Sequence, residues 1–140
     1  MKRLLTSSLS ALCLLSSVAC HAHSDEYLDS QPTPHGGQMH MAGAYHFELL
    51  AKPNELTVYL TDHAGAKVPS NGATGSATVL SGKTKATVAL QPSGDNIMKG
   101  NGQFESTPDM KVVVSITLPG KSPEQARFTP MQKAAAMHMH

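Results

Sequence analysis

The sequence predicts an all-β protein, an antiparallel β-sandwich of about 6–8 strands with an immunoglobulin-like or cupredoxin-like Greek key. Short runs of apolar residues alternate with polar ones at the period of two that suits a strand with one buried face. Glycine, proline and asparagine recur between these runs about every eight to twelve residues. No window beyond residue 22 has a clear helical period. Together these features are typical of a sandwich or a small barrel.

The chain begins with the features of a secretory signal peptide over residues 1–22. Lys2 and Arg3 precede an apolar run at 4–18, and small residues suited to cleavage follow it. That run is too short and too rich in serine for a transmembrane helix. We therefore expect export to the periplasm, with cleavage after residue 19 or 22, or acylation of Cys20 as a lipid anchor.

The remaining composition indicates one ordinary domain, expected over residues 35–130. Residues 23–34 are polar, contain two prolines and are predicted to be a flexible leader. Without the signal peptide the chain has 9 basic and 10 acidic side chains, which favours neither nucleic acid nor an anionic membrane as a partner. Cys13 and Cys20 lie within or at the edge of the signal peptide, so no internal disulfide is expected.

The predicted strands follow the alternating runs in order. They cover residues 44–51, 55–61, 74–80, 85–91 and 111–118, with short strands near residues 97–98, near residue 104 and at 126–129. The first two strands are expected to form a hairpin, and so are the third and fourth. The larger core side chains are expected to be Tyr45, Phe47, Tyr59 and Phe104, and Phe128 should also be buried.

Candidate metal ligands are concentrated just before the first strong strand. The side chains with suitable donor atoms are His35, Met39, His40, Met41, His46 and Glu48. Imidazole suits copper, zinc and nickel, whereas thioether sulfur favours soft ions such as Cu(I). The sequence therefore predicts a soft-metal site in this stretch, with Cu(I) or Ag(I) as candidate ions.

Two interpretations of Met39 and Met41 are open at this stage. If the chain is extended from Gln38 onward, both methionines share the face of Phe47 and belong to the core, while His40, His46 and Glu48 occupy the other face. If Gly36, Gly37 and Gly43 instead keep residues 35–43 in a loop, the methionines can lie beside the histidines. A single turn histidine such as His63 is expected to be solvated.

A second candidate segment closes the chain. Residues 131–140 are predicted to be a Met/His-rich tail that ends in Met137, His138, Met139 and His140. Such alternation of thioether and imidazole resembles the Cu(I) and Ag(I) sites of periplasmic copper- and silver-resistance proteins. The alternative is a solvated tail without a ligand.

Several motifs together resemble a family of small periplasmic β-sandwich proteins that is found near heavy-metal efflux systems or as a module of their adaptor subunits. The motifs are His35-Gly36-Gly37, Tyr45 to Leu49, Val58-Tyr59-Leu60 with Asp62, Leu90-Gln91-Pro92 with Gly94-Asp95-Asn96, and Ser115 to Gly120. This resemblance implies a metal-related periplasmic role, with His35, His46 and Glu48 as the matching polar positions. The HAHS stretch at 21–24 more weakly resembles the histidine-rich start of CopC-type copper proteins. A free amine beside such a histidine would chelate Cu(II).

These observations predict a periplasmic metal-binding protein that buffers copper or silver or delivers it to an efflux or resistance system. The alternative is a non-enzymatic β-sandwich interaction module of an envelope metal-efflux complex. Neither a GxSxG nor an HExxH motif occurs, so no enzyme is predicted; a copper-dependent oxidative site at an N-terminal histidine is the one enzymatic alternative. Folding is expected to need no metal.

Overall fold

The computed structural model describes residues 25–132. The predicted signal peptide, Cys20 and the tail residues 133–140 lie outside the described residues. Within the described part the fold is all-β and antiparallel, as the sequence predicts. Its elements are α1 (Asp25–Asp29), β1 (Gln38–Ala42), β2 (Tyr45–Lys52), β3 (Glu55–Asp62), β4 (Thr74–Ser81), β5 (Thr84–Pro92), β6 (Ile97–Asn101), β7 (Lys111–Thr117) and β8 (Glu124–Phe128).

The strands form a nearly closed sheet in the order β1-β2-β3-β6-β5-β4-β7-β8. Strands β4, β5 and β6 follow one another antiparallel, and β7 returns to lie beside β4, which is a Greek key. Only two residue pairs, Gln91 with Lys99 and Pro92 with Met98, join β5 to β6. This short junction is a corner between two four-stranded layers, one containing β1-β2-β3-β6 and the other β5-β4-β7-β8.

The core lies between the two layers and is built from one side of each strand. Phe47 and Phe128, each 1% exposed, are its largest residues, surrounded mainly by leucine, valine and alanine. The burial of Phe128 confirms the prediction for that residue. The prediction that Tyr59 belongs to the core is wrong, because Tyr59 lies on the other side of β3 from the core residues Val58 and Leu60. Phe104 is partly buried against the core, but the prediction of a strand at this position is wrong.

The first hairpin is the main local difference from the sequence prediction. Residues 38–42 are neither a loop nor a continuation of β2 but a separate strand, joined to β2 by the two-residue turn Gly43-Ala44. Gly43 has a φ of +58°, and glycine in the first position of such a turn is typical of type II′. The chain reverses there, so Met39 and Met41 do not share the face of Phe47.

The predicted flexible leader is partly ordered. Helix α1 buries Leu28, and its two aspartates contact β1: Asp25 Oδ1 accepts the Met41 N–H at 2.8 Å, and Asp29 Oδ1 accepts the Gln38 Nε2–H at 2.9 Å. Unpaired backbone groups at a strand edge need partners. Asp25 supplies one for the Met41 N–H, and Asp29 adds a side-chain contact through Gln38, so ordered structure begins before residue 35.

Strands β1 and β8 lie next to each other but are held by side chains. The Gln38 side-chain oxygen accepts the Thr129 N–H at 2.8 Å, and the His40 Nδ1–H donates to the Arg127 carbonyl. We call this contact the β1–β8 seam.

Within residues 25–132 no helix has the length and apolarity that crossing a membrane requires.

Candidate metal site on the outer face of the first three strands

The register of the first hairpin determines on which side of the sheet each candidate ligand lies. Met41 lies opposite His46, and Met39 lies opposite Glu48. Residues paired in an antiparallel ladder point to the same side of the sheet. Because Phe47 and Leu49 point into the core, Met39, Met41, His46 and Glu48 share the opposite side. We call this side of β1, β2 and β3 the outer face.

Met41 and His46 form a close cross-strand pair. The Met41 N–H donates to Asp25, outside the hairpin, so this pair exchanges no backbone hydrogen bonds. Such pairs have Cα atoms about 4.5 Å apart and bring their side chains closer together than hydrogen-bonded pairs do. His46 is 5% exposed, and Met41 is half-buried. A thioether and an imidazole are therefore neighbours at the end of the hairpin.

Glu48 serves a structural purpose on this face. Its carboxylate is 1% exposed and accepts hydrogen bonds from the His35 N–H at 3.0 Å, the Gly37 N–H at 2.9 Å and the His35 Nδ1–H at 2.9 Å. Burying a carboxylate is unfavourable unless it is paired and hydrogen-bonded. Its hydrogen bonds go to the segment before β1, so Glu48 is a cap for the His35-Gly36-Gly37 turn.

The same turn depends on a glycine at position 37. A Cβ at Gly37 would overlap the Leu49 carbonyl oxygen. The turn therefore lies directly against β2, where the buried carboxylate of Glu48 reaches it. The His-Gly-Gly motif and Glu48 are parts of one structural unit.

His35 is oriented by this cap. Its ring stacks on Tyr59, with centroids 3.6 Å apart and planes 3° apart, and its side chain is 39% exposed. The hydrogen bond from Nδ1 to Glu48 leaves the lone pair on Nε2 in the neutral ring. A carboxylate behind a histidine is the usual outer-shell partner of a metal-ligating imidazole.

His40 is not brought together with the two methionines beside it in the sequence. It points to the seam side of β1, where its ring stacks on Phe128 at 5.3 Å. Its two ring nitrogens contact the Arg127 carbonyl and the Asp29 carboxylate, the latter at 2.9 Å. His40 therefore holds β1, β8 and α1 together and does not face Met39 or Met41.

His63, which the sequence analysis expected to be solvated, is exposed, but its ring also has a partner. The ring of His63 stacks on His46, with centroids 4.7 Å apart and planes 21° apart. The hairpin of β2 and β3 pairs His46 with Thr61 and Tyr45 with Asp62. Extending that register by one pair puts position 63 beside the start of β2. Because the Pro53-Asn54 turn fixes this register, the sequence alone could have predicted that His63 lies near His46.

Among residues 25–132, no three histidine, cysteine, aspartate or glutamate side chains cluster in a way that could hold a metal ion. The register puts a thioether and an imidazole, those of Met41 and His46, opposite each other, a combination that fits Cu(I) or Ag(I) better than Zn(II). Met137, His138, Met139 and His140 lie outside the described residues, and so does any N-terminal histidine.

We compared the chain with protein-family models, with curated proteins and with solved structures, and none of the three comparisons gives a match. The resemblance to periplasmic metal-efflux modules therefore stays a prediction.

Proposed function

We propose that this protein is a periplasmic metal-binding protein that buffers Cu(I) or Ag(I) or delivers it to an efflux or resistance system of the envelope. The observation that carries the proposal is the register of the first hairpin, which aligns Met41 with His46 and puts Met39 on the same face. Soft monovalent ions prefer neutral, polarisable thioether and imidazole donors.

The remaining predicted ligands have supporting roles in this proposal. His35 keeps a lone pair on Nε2 and its side chain is 39% exposed, so it is a further candidate donor on this face. Glu48 orients His35 and is occupied by its three hydrogen bonds. His40 acts through the strand that carries the methionines, because it holds β1 against β8 and α1.

The first prediction tests the thioethers. Replacing both Met39 and Met41 with leucine keeps their approximate size and removes sulfur, so the affinity for Cu(I) should fall by at least about tenfold, or about 1.4 kcal/mol. Stability should change by less than about 1.5 kcal/mol, as volume-conserving swaps do. A competition titration against a Cu(I) chelator measures the affinity, and urea denaturation measures the stability.

Two further variants distinguish the thioethers of the outer face from those of the core and of the tail. Met98→Leu makes the same change at a fully buried core methionine and should leave Cu(I) affinity unaltered. Replacing Met137 and Met139 with leucine removes thioethers from the tail alone and should lower the number of ions bound. If the Met39 and Met41 double variant binds as tightly as the wild type, the proposal fails at this site and the interaction module becomes the better explanation.

A further inference from the structure

His63 is held in a fixed turn directly after β3. The Asp62 carboxylate accepts the N–H groups of Ala64 and Ala66, each at 2.9 Å, and Thr61 forms an isolated bridge with Lys67. These contacts close the turn from both sides. The position of His63 is therefore set by the backbone around it, although its side chain is exposed.

Two contacts orient the His63 ring. Its Nε2–H donates to the Gly43 carbonyl at 3.1 Å, because a carbonyl can only accept. In the neutral ring this leaves the lone pair on Nδ1. The ring also stacks on His46. A hydrogen bond at one ring nitrogen that fixes the donor role of the other is typical of metal-ligating histidines.

We propose that Nδ1 of His63 is the third donor of a centre formed with Met41 and His46, an inference that rests on the proposed function. Two imidazoles and one thioether form a neutral donor set that suits a soft monovalent cation. The three residues come from β1, β2 and the turn after β3: Met41 is paired with His46 in the hairpin, and the His63 ring stacks on His46.

The three side chains differ in exposure, which indicates the side on which the ion enters and leaves the site. His46 is buried and Met41 half-buried, whereas His63 is exposed. At the metal–nitrogen distance of about 2.0–2.1 Å known for zinc, two nitrogens bound to one ion are at most about 4 Å apart. Rings with centroids 4.7 Å apart are already close to that spacing. His63 is thus the donor that closes over the ion, and the ion enters and leaves on its side.

Side-chain NMR of the mature full-length protein tests this inference, with Ag(I) as a diamagnetic probe. In the metal-free protein the His63 ring should be protonated at Nε2. Ag(I) should shift the Nδ1 resonance of His63 and the methyl resonance of Met41 together, in the same titration step. A shift of Met41 and His46 with Nδ1 of His63 unchanged would overturn the role of His63 and leave the proposed function standing.

A matched pair of variants gives a second readout. His63→Phe keeps an aromatic ring to stack on His46 and removes both nitrogens, so Ag(I) affinity should fall by at least about tenfold, with faster dissociation. Met98→Leu serves as the control and should match the wild type. Should His63→Phe bind and release Ag(I) as the wild type does, His63 is not a ligand. Should neither Met41 nor any outer-face histidine respond to Ag(I), the proposed function itself fails. If His63→Phe does not fold, the wild-type NMR titration decides.

Discussion

At the scale of single residues, Glu48 shows how a buried charge can be part of the scaffold. Its carboxylate has no strand partner to neutralise it and instead gathers two backbone N–H groups and the imidazole of His35. Hydrogen bonds to a charged group contribute more than neutral ones, and leaving a buried donor unpaired is costly. The hydrogen bonds of Glu48 therefore hold the outer face in place near His35.

The second prediction concerns this cap. Glu48→Gln keeps the shape but replaces one acceptor oxygen with an NH₂ group that would face an N–H donor, so the free energy of unfolding should fall by about 1–3 kcal/mol. Urea denaturation measures the change. Glu105→Gln, at an exposed position, makes the same chemical change and should stay within about 0.5 kcal/mol of the wild type. Equal stability of both variants would mean that Glu48 does not support the turn.

Some of these residue roles could be predicted and others could not. The sequence indicates that His46 and Glu48 share a face, and the structure puts both on the outer face, where Glu48 also binds His35. It does not reveal that Glu48 is occupied by backbone N–H groups, because those donors come from a segment 11 to 13 residues earlier. The seam contacts of His40 depend on Arg127, 87 residues away, which no local pattern encodes.

At the scale of elements, the turn at Gly43-Ala44 decides which residues share a face. One continuous strand would align Met39 and Met41 with Phe47, whereas a two-residue turn pairs them with Glu48 and His46. Because the period of a strand is two, a single turn exchanges the faces completely. A two-residue turn with glycine in its first position is typical of type II′ hairpins, so this hairpin could have been predicted from the sequence.

The third prediction concerns helix α1. Asp29→Ala removes the acceptor shared by the side chains of Gln38 and His40, which in turn bind the backbone of Thr129, just after β8, and of Arg127. The seam should open more often, so the Thr129 amide, which donates to Gln38, should exchange its hydrogen faster. Amide hydrogen exchange followed by NMR measures this.

The neighbouring acid of the same helix provides the control. Glu26→Ala, at an exposed position of α1, should leave the exchange of Thr129 unchanged. Equal exchange rates in the Asp29→Ala variant and the wild type would show that the helix does not hold the seam.

At the scale of the whole molecule, the core and the candidate site occupy opposite sides of the same strands. The core contains Phe47, Leu49, Val58 and Leu60 on the inner side of β2 and β3. The outer face contains the proposed donors Met41, His46 and His63. The all-β class and most strands could be predicted, since alternation over a strand is local. The strand order could not, because the corner between β5 and β6 rests on two residue pairs.

This separation leads to the last prediction, which is that the mature protein folds without metal and gains stability when an ion binds. Chelator-treated protein should keep its β-sheet circular dichroism and melt cooperatively, because no core residue is a proposed ligand. Added Ag(I) should stabilise the folded state by about 2.7 kcal/mol at a free concentration one hundred times Kd. The Met39 and Met41 double leucine variant should melt like the metal-free wild type and gain less from Ag(I). Loss of cooperative melting after chelation would instead mean that the ion is part of the fold.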